Sequence, residues 1–433
     1  MNQVTFADLN LAEPLQRALA DKNYTIPSPI QSQSIPHLLE GKDLLGCAQT
    51  GTGKTAAFAL PILHRLSQNP KQPSPKSPRV LILTPTRELA SQIGQSFADY
   101  GKYLSHSHTV IFGGVGQNPQ VRAVSRGIDV VIATPGRLLD LCQQRAIRLD
   151  SLEVLVLDEA DRMLDMGFIN DVRKILSQIP KQRQTLFFSA TMPPVIQQLA
   201  ETILTNPVKV EVAPVSSTAE RIDQRICFLD NGNKPKLLLH MLQEHQKGPN
   251  SGLTLVFSRT KHGANRLSEQ LSKAGVRAEA IHGNKSQGAR ERALENFRTG
   301  RSPVLVATDI AARGIDVKGI TLVINYDLPN EPESYVHRIG RTARAGAEGV
   351  AVAFCNREEM EFLRDIEKLI RKTLVVNSEH PFHVEGMVEA HKTLHQPRQG
   401  RPQSQAPARF NGQRNMFRSR GARQQNRSYS VAR

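Results

Sequence analysis

Short runs of consecutive apolar residues alternate along this chain with longer segments in which apolar positions recur every three or four residues. The runs at 43–47, 80–84, 130–134, 154–158 and 185–189 are nearly continuously apolar, as strands covered on both faces must be. The same rhythm restarts at 253–258, 304–308, 321–326 and 350–354. Strands alternating with helical segments predict parallel sheets flanked by helices, an α/β fold. The restart predicts two such units in tandem, over residues 1–212 and 221–376. Between them, 213–220 reads APVSSTAE, small, polar and aperiodic, and is expected to be a linker. Residues 71–78, rich in Pro, Lys and Ser, are an exposed loop within the first unit. A long helical segment at 358–372 is followed by fading periodicity, so 377–433 is expected to be a largely disordered tail.

A chain of 433 residues is long for one core, which agrees with two domains and a tail. Nothing approaches the ~20 consecutive apolar residues needed to span a bilayer. The first ten residues lack a basic segment followed by an apolar one, so no secretory leader is expected. Cys47, Cys142, Cys227 and Cys355 are scattered without a Cys-x-x-Cys pair. They read as reduced thiols of a cytoplasmic protein, not as a disulfide framework or a zinc site.

Charge changes the picture. The formal net charge is +16, which points to a polyanionic partner. Residues 391–433 hold one Lys and nine Arg with no Asp or Glu, so ten of the sixteen net charges lie there. This tail cannot bury a core. Its Phe410, Phe417 and Tyr429, set among arginines, suit stacking on nucleic-acid bases; a merely solubilising tail is the alternative.

The chemistry starts at Thr50-Gly51-Thr52-Gly53-Lys54-Thr55, which follows a strand and opens a helix. Backbone N–H groups and a helix N-terminus cradle phosphates in such a loop. Lys54 would reach the β- and γ-phosphates and Thr55 would ligate Mg²⁺. Ala48 stands where the general pattern has Gly. A hundred residues on, the run at 154–157 ends in Asp158-Glu159-Ala160-Asp161. Carboxylates at a buried strand end are costly unless paired or metal-bound, so Asp158 reads as the Mg²⁺ partner and Glu159 as the base that activates water.

Asp-Glu-Ala-Asp in this setting resembles the signature of the DEAD-box RNA helicases, and further motifs of that family follow in order over residues 6–346. The resemblance implies two RecA-like domains that use ATP and Mg²⁺ on RNA. It implies that Tyr24, supported by Phe6, stacks on adenine and that Gln31 reads its edge; Asn23-Tyr24 stands where the family usually has Gly-Phe. Pro85, Thr86, Arg87, Gly114, Thr134, Pro135 and Arg137 match its RNA-backbone motifs in the first domain, although Arg87 has neighbouring carboxylates with which it could pair instead. In the second, Ser258, Arg259, Gln287, Arg290 and Thr308 match RNA contacts. Gly314 and Asp316 would bind ATP, with Asp316 on its ribose. Arg341 and Arg344 would be arginine fingers on the γ-phosphate. Asp161, Ser189, Thr191 and His337 would couple the nucleotide site to the domain interface.

The resemblance further implies that ATP and single-stranded RNA close the two domains on each other, with local, non-processive unwinding of short duplexes and little sequence preference. The compact core, the 358–372 segment and the basic tail are similar to the RhlE-type branch of bacterial DEAD-box helicases. Ribosome assembly and RNA decay are what that branch implies. An RNA-dependent clamp that displaces proteins, and a tether that binds RNA through its tail, are the rival readings.

Overall fold

The computed structural model describes residues 4–48, 51–212, 222–248, 251–312, 315, 317–343 and 348–394. Two seven-stranded sheets organise it. The first holds β1 (Leu44–Cys47), β2 (Val80–Leu83), β3 (His108–Ile111), β4 (Val130–Ala133), β5 (Val154–Leu157), β6 (Gln184–Ser189) and β7 (Val208–Glu211), in the order β3-β4-β2-β5-β6-β1-β7. The second holds β8 (Ile222–Phe228), β9 (Leu253–Phe257), β10 (Ala278–Ile281), β11 (Val304–Ala307), β12 (Ile320–Asn325), β13 (Gly349–Cys355) and β14 (Val375–Val376), ordered β10-β11-β9-β12-β13-β8-β14. Every pairing is parallel. The two strand orders are the same, a duplication that no short-period repeat in the sequence announces.

The central strands β2, β4 and β5 are apolar throughout because both faces are covered. Val80, Ile82, Val154, Val156, Leu186 and Phe188 point into one helical layer. Leu81, Leu83, Leu155, Leu157 and Phe187, their alternating neighbours, point into the other. Such alternation is what a pleated strand imposes. The strands that the apolar runs do not mark are half exposed. β7 alternates between partly buried, exposed and buried positions, and β8, reading IDQRICF, buries Ile222, Gln224 and Ile226 while exposing Asp223 and Arg225.

The described structure runs past 376, the expected end of the second unit. β14 joins β8, and the helix Glu385–Leu394 packs Met387 and His391 into the body. His391 Nε2 lies 2.9 and 3.0 Å from the two Glu367 carboxylate oxygens, and its ring lies against Phe228. A buried histidine in place of an apolar residue hides this helix from a hydrophobic count. The expected linker at 213–220 and the tail from 395 lie outside the described residues. The four cysteines are free, and burial pushes the Cys142 thiol up to about 11 and Cys227 up to about 12. Among the described residues no helix is long and apolar enough to cross a membrane.

Candidate active site

The chemistry-bearing segments gather at the carboxyl ends of the strands, where open parallel sheets bind ligands. After β1 the chain makes a loop and enters the helix Lys54–Gln68. Gly51 and Gly53 take φ of 88° and 94°, a region costly for side chains with a Cβ. Gly53 also has no room for one, because a Cβ there would collide with Gln31 Nε2 and Ser28 Oγ. Those two side chains strap the loop down: Ser28 Oγ donates to Thr52 O at 2.7 Å and Gln31 Nε2 donates to Gly53 O at 3.0 Å. Gln31 Oε1 in turn accepts from Ser28 N–H at 2.8 Å, closing the capping box of the helix Pro29–Leu39. Gln31 therefore ties the start of the helix Pro29–Leu39 to the loop before Lys54, and reading a base would make it exchange these bonds.

Lys54 is buried and curls back to donate to Ala48 O at 2.7 Å. Thr55 follows in the first turn; Thr50 lies outside the described residues. Tyr24 is 40% exposed and stacks on the buried Phe6 at 6.5 Å and 20°. Asn23 sits at φ 55°, which explains why Asn can stand where Gly is usual: it visits the left-handed region more readily than other side chains.

After β5 comes the acidic turn. Asp158 is 2% exposed. Burial drives its carboxyl above the ordinary range, against the pull of the Lys54 ammonium, and Glu159 adds to the rise. Its Oδ1 has no hydrogen-bond partner among the described residues. Glu159 takes φ 54° and forms a buried ion pair with Arg162, Nε to Oε2 3.4 Å. Asp161 is held from β6: its Oδ2 accepts from Thr191 N–H at 2.9 Å and from the Thr191 hydroxyl at 3.0 Å. Ser189 Oγ accepts from Asp161 N–H and donates to Thr191 O. A buried lysine, an unpaired carboxylate oxygen and a glycine-framed helix N-terminus fit a triphosphate and a hard cation. Among the described residues no three His, Cys, Asp or Glu side chains form a protein-only metal cage. Mg²⁺ binds through one or two protein ligands plus substrate phosphates, and Thr55 and Asp158 are the side chains that could hold it here.

A second region is lined by Pro85, Thr86, Arg87, Thr134, Arg137 and Arg290 around a cavity of about 340 Å³. Thr86 caps the helix Arg87–Tyr100 by accepting from Leu89 N–H. Arg87 lies over Gly114 so closely that a Cβ there would collide with it. Burial and the nearby Arg290 lower the pKa of its guanidinium. Its carboxylate neighbour Glu88 pairs instead with Arg290 of the second body, at 2.9 Å, both side chains under 10% exposed. Pro135 opens the helix Pro135–Gln143, whose Arg137 donates to Val115 O. Gln287 donates to Glu291 within the helix Gln287–Arg298, and the Thr308 carbonyl starts the turn at Asp309–Ala312.

Two expected contacts are placed differently. Ser258 Oγ donates to Asp327 Oδ2, and Arg259 donates to Leu328 O and Glu359 Oε1. Their polar groups serve a network inside the second body, because the carboxylates after β12 and β13 need partners. Lys234, fully buried, completes it, 2.7 Å from Glu359 Oε2 and 3.5 Å from Asp327 Oδ1. Replacing Lys234 by Met is expected to cost about 3–5 kcal/mol of stability, since it strands a buried carboxylate. Urea denaturation reads this directly, and a loss below about 1 kcal/mol would show that the pair is not needed.

Arg341 is buried and donates to Ile315 O at 3.0 Å. His337 lies one turn earlier, in the helix Pro332–Ile339. Gly314, Asp316 and Arg344 lie outside the described residues. The most heavily bonded side chain here is one that the motif alone does not single out. Arg338 grips both Asp309 oxygens at 2.6 and 2.7 Å, Asn325 Oδ1 at 3.0 Å and Asp327 O at 2.6 Å. Its position between the buried Tyr335 and Ile339 was the available signal.

Comparison with known proteins identifies the family and the fold. The model of the DEAD/DEAH box helicase family matches residues 28–199, and that of the helicase conserved C-terminal domain matches 233–346. DEAD-box ATP-dependent RNA helicase 30 of Arabidopsis thaliana is 44% identical over 368 residues, 85% of this chain and 62% of its own length. ATP-dependent RNA helicase DeaD of Buchnera aphidicola is 44% identical over 371 residues, 86% of this chain and 60% of its own. The chain thus spans about three fifths of the length of these relatives. DEAD-box ATP-dependent RNA helicase CshA of Bacillus cereus is 41% identical over 86% of this chain and 69% of its own. Among solved structures, S. cerevisiae Dbp5 bound to RNA and ADP BeF3 is 31% identical with a TM-score of 0.76, covering 90% of this chain and 98% of that one.

Proposed function

This chain belongs to the DEAD-box helicase family, and from that premise we propose that it is an RNA-gated ATPase that locally unwinds short RNA duplexes. The observation that carries the proposal is the tie between Asp161 and Thr191, which joins the phosphate-loop domain's acidic turn to the segment after β6. Water attacks the γ-phosphorus, the bond to the ADP oxygen breaks, and Glu159 takes the water proton. Lys54 stabilises the charge on the phosphates. Thr55 and Asp158 would hold Mg²⁺, which would supply positive charge to the phosphates. Arg341 and Arg344 reach the γ-phosphate on closure, so Arg341 must exchange its bond to Ile315 O. The cavity formed with Arg87, Arg137 and Arg290 holds sugar and phosphate without reading bases. Binding of both ligands favours closure because each half of the site is incomplete alone.

The finer reading places the chain in the RhlE-type branch, acting in the cytoplasm on ribosome assembly or RNA decay. The compact core and the Arg-rich tail support it. The test is unwinding of short RNA duplexes measured beside ATP hydrolysis, each with RNA and with DNA. Hydrolysis without strand separation would favour a protein-displacing clamp, and stimulation by DNA over RNA would overturn the RNA assignment. Deleting residues 397–433 is expected to weaken RNA affinity but to leave RNA-stimulated ATPase in place. Loss of all stimulation would make the chain a tether.

A further inference from the structure

We propose that Arg162 is a positioning residue that holds the Glu159 carboxylate in the orientation hydrolysis requires; the inference rests on reading this site as an ATPase. Glu159 leaves β5 at φ 54°, so its side chain departs in a direction that ordinary strand or helix backbone does not give. Three residues on, Arg162 stands on the same face of the helix Ala160–Asp165. Its Nε lies 3.4 Å from Glu159 Oε2, with side chains 3% and 4% exposed. Its backbone N–H donates to Glu159 O at 3.0 Å and to Asp161 Oδ1 at 3.1 Å. Asp161 is held on its other oxygen by Thr191. One residue thereby connects the expected base to the segment that couples the nucleotide site to closure.

Stability does not account for this arrangement. Burying a guanidinium costs several kcal/mol, and the cost is recovered only where further hydrogen bonds satisfy it. Arg338 meets that condition with four short bonds. Arg162 does not: its Nη2 is buried with no hydrogen-bond partner among the described residues. What Arg162 supplies is direction. A planar guanidinium on a short helix fixes the plane of a carboxylate more firmly than a lysine point charge does, and general-base catalysis depends steeply on that alignment.

The experiment measures single-turnover ATP hydrolysis with saturating RNA for the full chain and for Arg162→Met and Arg162→Lys. Each variant is also made with Glu159→Gln, and ATP and RNA affinities are measured throughout. Arg162→Met is expected to slow hydrolysis by about 10- to 100-fold, with both affinities within about twofold of the unaltered protein. Arg162→Lys should recover part of the rate. With Glu159→Gln already present, Arg162→Met should add no further loss, since residues acting through one another are non-additive. An equal loss in both backgrounds, or lost ATP affinity, would overturn the proposal, because Arg162 would then act on the nucleotide or the fold directly. An unchanged rate in Arg162→Met would also overturn it. Absence of RNA-stimulated hydrolysis in the unaltered chain would instead defeat the ATPase reading, and this proposal with it.

Discussion

Replacing Glu159 with Gln lowers RNA-stimulated ATP turnover by about 10²- to 10⁴-fold, the usual worth of a placed general base. The amide has the shape of the carboxylate it replaces but cannot take a proton. Glu159 is 3% exposed, so no water from outside substitutes readily for it. The substitution also removes one of the negative charges that raise the pKa of the Asp158 carboxyl. ATP affinity should therefore hold or tighten while hydrolysis falls. Equilibrium binding of a fluorescent nucleotide beside single-turnover kinetics separates the two effects. Turnover near that of the unaltered protein would mean that another group accepts the proton.

The second large effect concerns Arg290. Its pairing with Glu88 is a buried salt bridge between the two bodies, so Arg290→Glu sets two carboxylates against each other at a contact under 10% exposed. Breaking such a pair costs about 3–5 kcal/mol. Here that cost falls on the contact between the two bodies, because each body keeps its own core. ATP-dependent RNA affinity should drop by about two to four orders of magnitude, with thermal stability little changed. Glu88→Arg combined with Arg290→Glu restores the pair and should recover the share of the affinity that the contact between the bodies carries, but not the share that comes from Arg290 in the RNA cavity. A single variant that binds RNA normally in the presence of ATP would show that the contact does not carry closure.

Most of the sheet structure was legible because strands covered on both faces must be apolar without interruption. β2, β4 and β5 satisfy that, and β6 does so over Leu186–Phe188. β3 and β10 stand at sheet edges, where polar side chains face solvent and leave no run to see. The site was legible where its chemistry is contiguous, as in Gly51–Thr55 and Asp158–Asp161. It was not legible where a partner comes from far along the chain. Glu88 gives no hint of Arg290, nor Lys234 of Glu359. Direction was equally hidden. The motif around Arg259 suits an RNA contact, but the guanidinium turns to Glu359, and a local pattern cannot say which way a long side chain will lie. Gln31 is the milder instance: its neighbours suggested a base, and the structure adds the loop it also holds.

The repeated strand order has a consequence for ancestry and stoichiometry. β8 holds in the second sheet the place of β1 in the first, and β12 the place of β5. Lys54 opens the helix after β1; Lys234 opens the helix after β8. The second lysine is the counterpart of the first, and Asp327, beyond β12, stands near the counterpart of Asp158. Where Lys54 keeps only a backbone carbonyl, Lys234 is claimed by Glu359. The second body thus looks like a sister copy whose own phosphate seat has been sealed from within by a carboxylate. Under the proposed function, one nucleotide would be shared by the two folds, with the second body as the jaw that meets it.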